Sequence, residues 1–99
     1  MNPVRDQNFM FYVYVLKSKK DNLLYTGSTK DLKHRFKLHN EGKVPSTKNR
    51  TPLELIYYEA YKSEIDAKVR EKNLKLRSNA LTQLRRRIKL SLTNNNTQT

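Results

Sequence analysis

The sequence has no cysteine among its 99 residues, which excludes both disulfides and thiolate metal sites. A small domain with neither kind of staple holds together by packing, as proteins of a reducing compartment do. It has no run of about 18 apolar residues, the length that a membrane-crossing helix needs. Residues 1–8 include Arg5 and Asp6 and carry no apolar segment of the kind that marks a secretory signal. These absences predict a cytoplasmic protein with no membrane partner. Acidic residues are also scarce. Nine Asp and Glu stand against 21 Lys and Arg, giving a formal net charge of +12. Such an excess repels itself, and a compact domain that carries it usually meets a polyanion. Nucleic acid fits that footprint best.

At this length a single domain is expected. It buries only about two-thirds of the surface that its unfolded chain exposes. An open groove is therefore easier to build than a deep cofactor cleft.

Phe9 to Leu16 is short, aromatic and β-branched, and apolar on both faces, which predicts a buried central strand. A polar turn follows, and Leu23 to Gly27 makes the second strand of a hairpin. Asp31 to Glu41 has helical spacing, with Leu32 and Phe36 four apart, Thr29 or Asp31 at its start and Gly42 after its end. Lys43 to Pro52 is a basic loop, and Leu53 to Tyr61 is a third strand. Ser63 opens a helix that runs to Leu76, with Asp66 three residues on as a weak capping-box acid. Ser78 caps a last helix that carries Leu81, Leu84, Ile88 and Leu92. The expected organisation is a flexible N-terminus over residues 1–8, one domain over 9–92, and an Asn/Thr/Gln-rich disordered tail over 93–99.

Side chains alternate along a strand, so Tyr12 and Tyr14 share a face. A turn centred near Lys19-Lys20 places Tyr14 opposite Tyr25, with the two phenols close together. Gly27 leaves space just beyond Tyr25. Arg35 and His39 are four apart and stack on one side of the first helix, next to its apolar stripe. Burying such polar groups unpaired is costly, so they need partners. His34 points elsewhere, into solvent. In the second helix Ala67, Glu71 and Leu74 fall on one side, while Ile65, Val69 and Leu76 form a separate apolar side. A helix apolar on two sides sits between layers and brings Glu71 inward. An inward carboxylate in so basic a chain points to a metal or an arginine partner. Each residue alone also has a structural reading: packed strand tyrosines, a satisfied histidine, an arginine stem with its head in solvent, and an exposed Glu71–Lys75 helix pair.

Taken together, Tyr12-Val13-Tyr14, Tyr25-Thr26-Gly27, Arg35 with His39, and Glu71 within Ala67-Lys68-Val69-Arg70-Glu71 resemble the GIY-YIG nuclease family. The likeness is to its small stand-alone members, which are similar to the catalytic part of nucleotide-excision-repair nucleases. It spans about Phe11 to Leu76. The resemblance implies an α+β fold, with a small central three-stranded antiparallel sheet flanked by helices, in agreement with the element order above. It also implies roles: Tyr14 and Tyr25 as the motif tyrosines, Arg35 holding the scissile phosphate, His39 at a position shared by histidine and tyrosine, and Glu71 as the single metal-ligating glutamate. Tyr12 replaces the leading glycine of the first motif, Thr26 replaces an isoleucine, and Ser28 stands where the repair nucleases have a lysine.

That resemblance predicts a metal-dependent endonuclease that hydrolyses phosphodiesters of DNA in repair, recombination or related processing. One Mg²⁺ or Mn²⁺, weakly bound without substrate, is the implied cofactor. A phenol's reference pKa is near 10, and Arg35 and a bound cation would favour the phenolate. Tyr14 or Tyr25 then takes a proton from the attacking water, with His39 receiving or relaying it. Lys43, Lys48 and Arg50 in the loop, and Arg85, Arg86, Arg87 and Lys89 on the last helix, are expected to track the nucleic-acid backbone without reading sequence. A solvated face is the structural reading of those same charges. A monomer or weak dimer is expected, and a protein partner for targeting would suit so small a domain. The alternatives are a non-catalytic nucleic-acid-binding module on the same fold and a basic protein-interaction adaptor.

Overall fold

The computed structural model describes residues 9–76 and 79–93. Three strands, β1 (Phe11–Ser18), β2 (Leu24–Thr29) and β3 (Leu53–Tyr61), pair antiparallel in the order β2-β1-β3. Helix α1 (Leu32–Asn40) connects β2 to β3, and α2 (Glu64–Lys75), α3 (Asn79–Arg87) and α4 (Lys89–Thr93) follow. This is the α+β fold expected from the sequence, with β1 as its central strand.

Alternation along β1 divides the core into two layers. Val13 and Val15 meet Ala67 and Leu74 of α2, Leu84 of α3, and Ile88. Tyr14 and Leu16 point the other way and form a second cluster with Leu53, against which Leu32 and Phe36 of α1 pack. Each layer is thin, as the chain length requires.

The hairpin turn differs from expectation by one residue. The buried Ser18 hydroxyl accepts from the backbone N–H groups of Lys20 and Asp21. The Asp21 side chain accepts from Leu23 N, and Asn22 adopts a left-handed φ of 61°. These bonds centre the turn on Lys20-Asp21, so Tyr14 pairs with Gly27 and Leu16 with Tyr25. Moving the centre by one residue moves each partner by two. The two tyrosines therefore stay on the same face, but sit diagonally rather than directly opposite.

Helix α1 starts where expected. Asp31 caps it by accepting from His34 N, and Gly42, with a φ of 74°, follows its end. The Asn40 amide then bonds both the N–H and the C=O of Leu53, which fixes α1 against β3. Ser63 caps α2 by accepting from Asp66 N. Ion-paired Glu59 and Arg70 join α2 to β3 through a forked contact of 2.8–3.2 Å, and the Tyr57 and Tyr61 hydroxyls donate to the same carboxylate. Burial opposes ionisation of Glu59, but these donors outweigh it and hold the carboxyl below its ordinary pKa.

Two expectations about the helices need correction. Ile65, Val69 and Leu76 do not face a second layer; they are exposed on the outer side of α2. Ala67 and Leu74 already fill the single contact that so short a chain can make with the sheet. The last helix is two helices meeting at Ile88, although Ile88 N bonds Leu84 O and Leu92 N bonds Ile88 O across the junction. Thr93, placed in the tail by sequence, is the last residue of α4. Ser78 and residues 1–8 and 94–99 lie outside the described residues, as do the expected flexible N-terminus and the rest of the expected disordered tail.

Candidate active site

The site is built around β2, an edge strand of the sheet. On the α1 side, Tyr14 extends from β1 beneath α1, where it is 1 % exposed. Its ring covers Gly27, directly across the ladder. A Cβ at residue 27 would fall 2.5 Å from the Tyr14 hydroxyl oxygen and 2.7 Å from Cζ. The ring centroids of Tyr14 and Tyr25 are 6.4 Å apart, and that of His39 lies 5.6 Å and 5.1 Å from them.

His39 is entirely buried. Its Nε2 is 2.8 Å from the Tyr14 hydroxyl and its Nδ1 is 2.7 Å from the Thr47 hydroxyl. Burial, with the Arg35 guanidinium nearby, pushes its pKa down to about 4, so the imidazole is neutral at physiological pH. Burial also pushes the Tyr14 phenol up to about 12, against the opposing pull of Arg35 beside it. The expectation that Arg35 favours a Tyr14 phenolate is thus outweighed by desolvation, and in the free protein Tyr14 is an uncharged phenol.

Glu71 comes from the opposite layer. Ser28 pairs with Val13 and so faces α2. Its hydroxyl donates to Glu71 Oε1 over 2.6 Å, while Lys75 Nζ lies 2.8 Å from Oε2. Burial works to raise the Glu71 pKa, but the bonds from Lys75 and Ser28 prevail and lower it. The Glu71 side chain is 16 % exposed and that of Lys75 is 49 % exposed. Lys75 also places its ammonium 5.9 Å from the centre of the Tyr25 ring. The charge of Glu71 acts on the Tyr14 phenol, so the carboxylate and the tyrosines share one neighbourhood around β2. The Glu71–Lys75 helix pair therefore forms, but as part of the site and not on a free surface.

Tyr14, Tyr25, Arg35, His39 and Glu71 are brought together. Tyr12 packs edge-on against Tyr58 instead, with centroids 5.9 Å apart. His34 is exposed, as expected. Among the basic residues, Lys43 and Lys48 are exposed and Lys43 lies 3.4 Å from Glu41. Arg50 differs from expectation: Asp21 holds its Nε at 3.0 Å, and its backbone carbonyl accepts from Ser18. It braces the hairpin turn and does not project as a free cation. Arg85, Arg86, Arg87 and Lys89 are all exposed on α3 and α4. Arg85 shares a surface hollow of about 270 Å³ with Tyr25, Lys75 and Leu81, so the basic helix adjoins the site.

Sequence reasoning missed Ser28, Thr47 and the Glu59–Arg70 pair, and it did not count Lys75 as a site residue. Only Lys75, four residues beyond Glu71, carried a spacing signal. Among the described residues no group of three or more His, Cys, Asp and Glu side chains could hold a metal. The donor set for a cation is the ionised Glu71 carboxylate, completed by water and substrate. That set suits one hard, weakly held ion.

An edge-strand site of two tyrosines, an arginine, a histidine and a lone glutamate defines a nuclease of the GIY-YIG class. The GIY-YIG catalytic domain family matches residues 10–89, and the chain belongs to that family. It is 43 % identical over 67 residues to a UPF0213 protein of Clostridium perfringens, covering 67 % of this chain and 71 % of that one. To a UPF0213 protein of Staphylococcus haemolyticus it is 45 % identical over 65 residues, covering 65 % and 78 %. The solution NMR structure of a UPF0213 protein from Bacillus halodurans matches with a TM-score of 0.54 at 31 % identity, over 91 % of this chain and 99 % of that one. Among the described residues, no helix is long and apolar enough to cross a membrane.

Proposed function

We propose that this protein is a divalent-metal-dependent endonuclease that hydrolyses phosphodiester bonds of DNA during its repair, recombination or processing. The observation that carries this reading is the meeting of Tyr14, Tyr25, Arg35 and His39 from one layer with Glu71 from the other, around an open edge strand. A binding surface has no need of a buried phenol–imidazole pair beside an ionised carboxylate.

Arg35 grips the scissile phosphate with paired donors, a geometry that lysine cannot reproduce. Tyr14, held by His39, orients the attacking water and takes its proton at the phenol oxygen. Tyr25, half-buried beside it, lines the approach. Glu71 is the ligand for one Mg²⁺ or Mn²⁺. When bound, that ion neutralises charge on the phosphate and the leaving 3′ oxygen and reduces the cost of a phenolate at Tyr14. Lys43, Lys48, Arg85, Arg86, Arg87 and Lys89 hold the backbone through phosphate contacts, so affinity falls steeply with salt and depends little on sequence.

One observation favours a second reading, a nucleic-acid-binding module without catalysis: Lys75 already occupies an oxygen of Glu71. Incubation with linear, flapped and branched DNA, with and without Mn²⁺, beside Tyr25→Phe and Glu71→Ala, separates the two. The nuclease reading expects cleavage by the wild type with Mn²⁺ and its loss in both variants. Binding in a low-salt gel without cleavage under any condition would establish the module instead.

A further inference from the structure

The buried chain behind Tyr14 has a direction, and Thr47 sets it. Thr47 lies in the segment after α1, with its side chain wholly inaccessible to solvent. Among the described residues its hydroxyl has a single hydrogen-bonding partner, Nδ1 of His39 at 2.7 Å. A threonine hydroxyl has one proton to give and lone pairs to receive with. If Thr47 only accepted from Nδ1–H, its own O–H would be left without an acceptor. An unsatisfied buried donor is a costly arrangement, whereas an acceptor with a spare lone pair is common. Donation by Thr47 to Nδ1 leaves no orphan, in keeping with the absence of unsatisfied buried side-chain atoms among the described residues.

We propose that Thr47 donates to Nδ1 of His39, fixes the imidazole as its Nε2–H tautomer, and so makes His39 a hydrogen-bond donor to the Tyr14 oxygen. A neutral imidazole carries one N–H. With Nδ1 engaged as acceptor, the proton sits on Nε2, 2.8 Å from the Tyr14 oxygen. The bond then runs from histidine to tyrosine. The proton of Tyr14 is turned away from the imidazole, and its oxygen faces donors on two sides, Nε2–H and Arg35. His39 in this arrangement does not receive a proton from Tyr14; it supports negative charge there. Thr47 acts through His39 and is a positioning residue. Its consequence for cleavage rests on the nuclease reading, but the direction of the bonds does not.

The first test is independent of activity. In ¹⁵N-labelled wild-type protein at neutral pH, long-range ¹H–¹⁵N correlations of the His39 ring should show Nε2 protonated and Nδ1 bare. An Nδ1–H ring, or a ring that carries both protons, overturns the proposal. The second test uses Thr47→Val, which keeps the shape and removes the donor, with Thr47→Ser, which restores it. Thr47→Val should lower kcat for Mn²⁺-dependent cleavage by roughly 10- to 100-fold with KM nearly unchanged, and Thr47→Ser should recover most of the activity. Full kcat in Thr47→Val, or an equal drop in the two variants, overturns the positioning role. If the wild type cuts no DNA, the nuclease reading fails, and the NMR measurement still decides the tautomer.

Discussion

The Tyr14 ring occupies the space that a Cβ at residue 27 would need: the built atom falls 2.5 Å from the phenol oxygen. The glycine of the second motif thus serves the tyrosine of the first. Its φ lies outside the left-handed region, so the requirement is for room and not for backbone freedom. Gly27→Ala should push the ring off His39, cost about 1–3 kcal/mol as an overpacked core does, and abolish cleavage. Urea denaturation beside a cleavage assay checks this. Unchanged stability with full activity would show that the ring has another place to go.

The neutral state of His39 makes a prediction about acid. Unfolded, the residue binds a proton below about pH 6.5, whereas folded it does so only near 4. Between those values the unfolded chain binds more protons, so stability falls as pH falls. The full effect, reached near pH 4, is on the order of 3 kcal/mol. Denaturant titrations at pH 7, 5.5 and 4.5 should show that slope in the wild type and a flatter one in His39→Gln. Parallel profiles would mean that His39 is protonated in the native protein.

Glu71 and Lys75 compete with any cation for the same carboxylate. Chelation with EDTA and Glu71→Ala should each stop cleavage. Lys75→Met should leave cleavage intact and lower the Mn²⁺ concentration needed for half-maximal rate, because Oε2 is freed. A higher Mn²⁺ requirement in Lys75→Met would show that the ammonium assists the site.

The basic residues should separate into two groups by salt dependence. Replacing Arg85, Arg86 and Lys89 with alanine should reduce the log–log salt slope of DNA affinity by about 0.9 for each phosphate that is no longer neutralised. Arg50→Ala should leave that slope unchanged and lower the melting temperature, since Arg50 is held by Asp21. Anisotropy titrations between 50 and 200 mM salt, spanning the range over which such binding weakens about a thousandfold or more, with thermal melts, test both. A reduced slope for Arg50→Ala would place it at the interface.

The sequence made the elements and the five central side chains legible because both are written in short-range spacing. The aromatic run of β1, the four-residue step from Leu32 to Phe36 and that from Arg35 to His39 are local patterns. The turn was misplaced by one residue because it depends on Ser18, a buried hydroxyl that binds two N–H groups and has no signature in composition. Ile65, Val69 and Leu76 looked like a second buried side because periodicity reports a face but not whether anything covers it. Thr47 and Ser28 were invisible for a related reason. Each matters through one long-range bond, and a serine or threonine in a loop or strand looks the same with or without it. Arg50 was assigned by charge alone, and its true partner, Asp21, is 29 residues away.

Eight side chains are the largest that the protein buries completely, and Tyr14, His39 and Thr47 are three of them. A bigger enzyme lays its reactive groups on top of a finished interior; this one uses them as interior. Tolerance to mutation should be correspondingly lopsided. Glu71 and Arg35 sit where a lineage can lose them and keep a folded, DNA-binding remnant. Substitution at the tyrosine–histidine–threonine line removes part of what keeps the chain folded. A descendant that abandons chemistry would shed its surface charges first and keep the buried line long after it has ceased to cut.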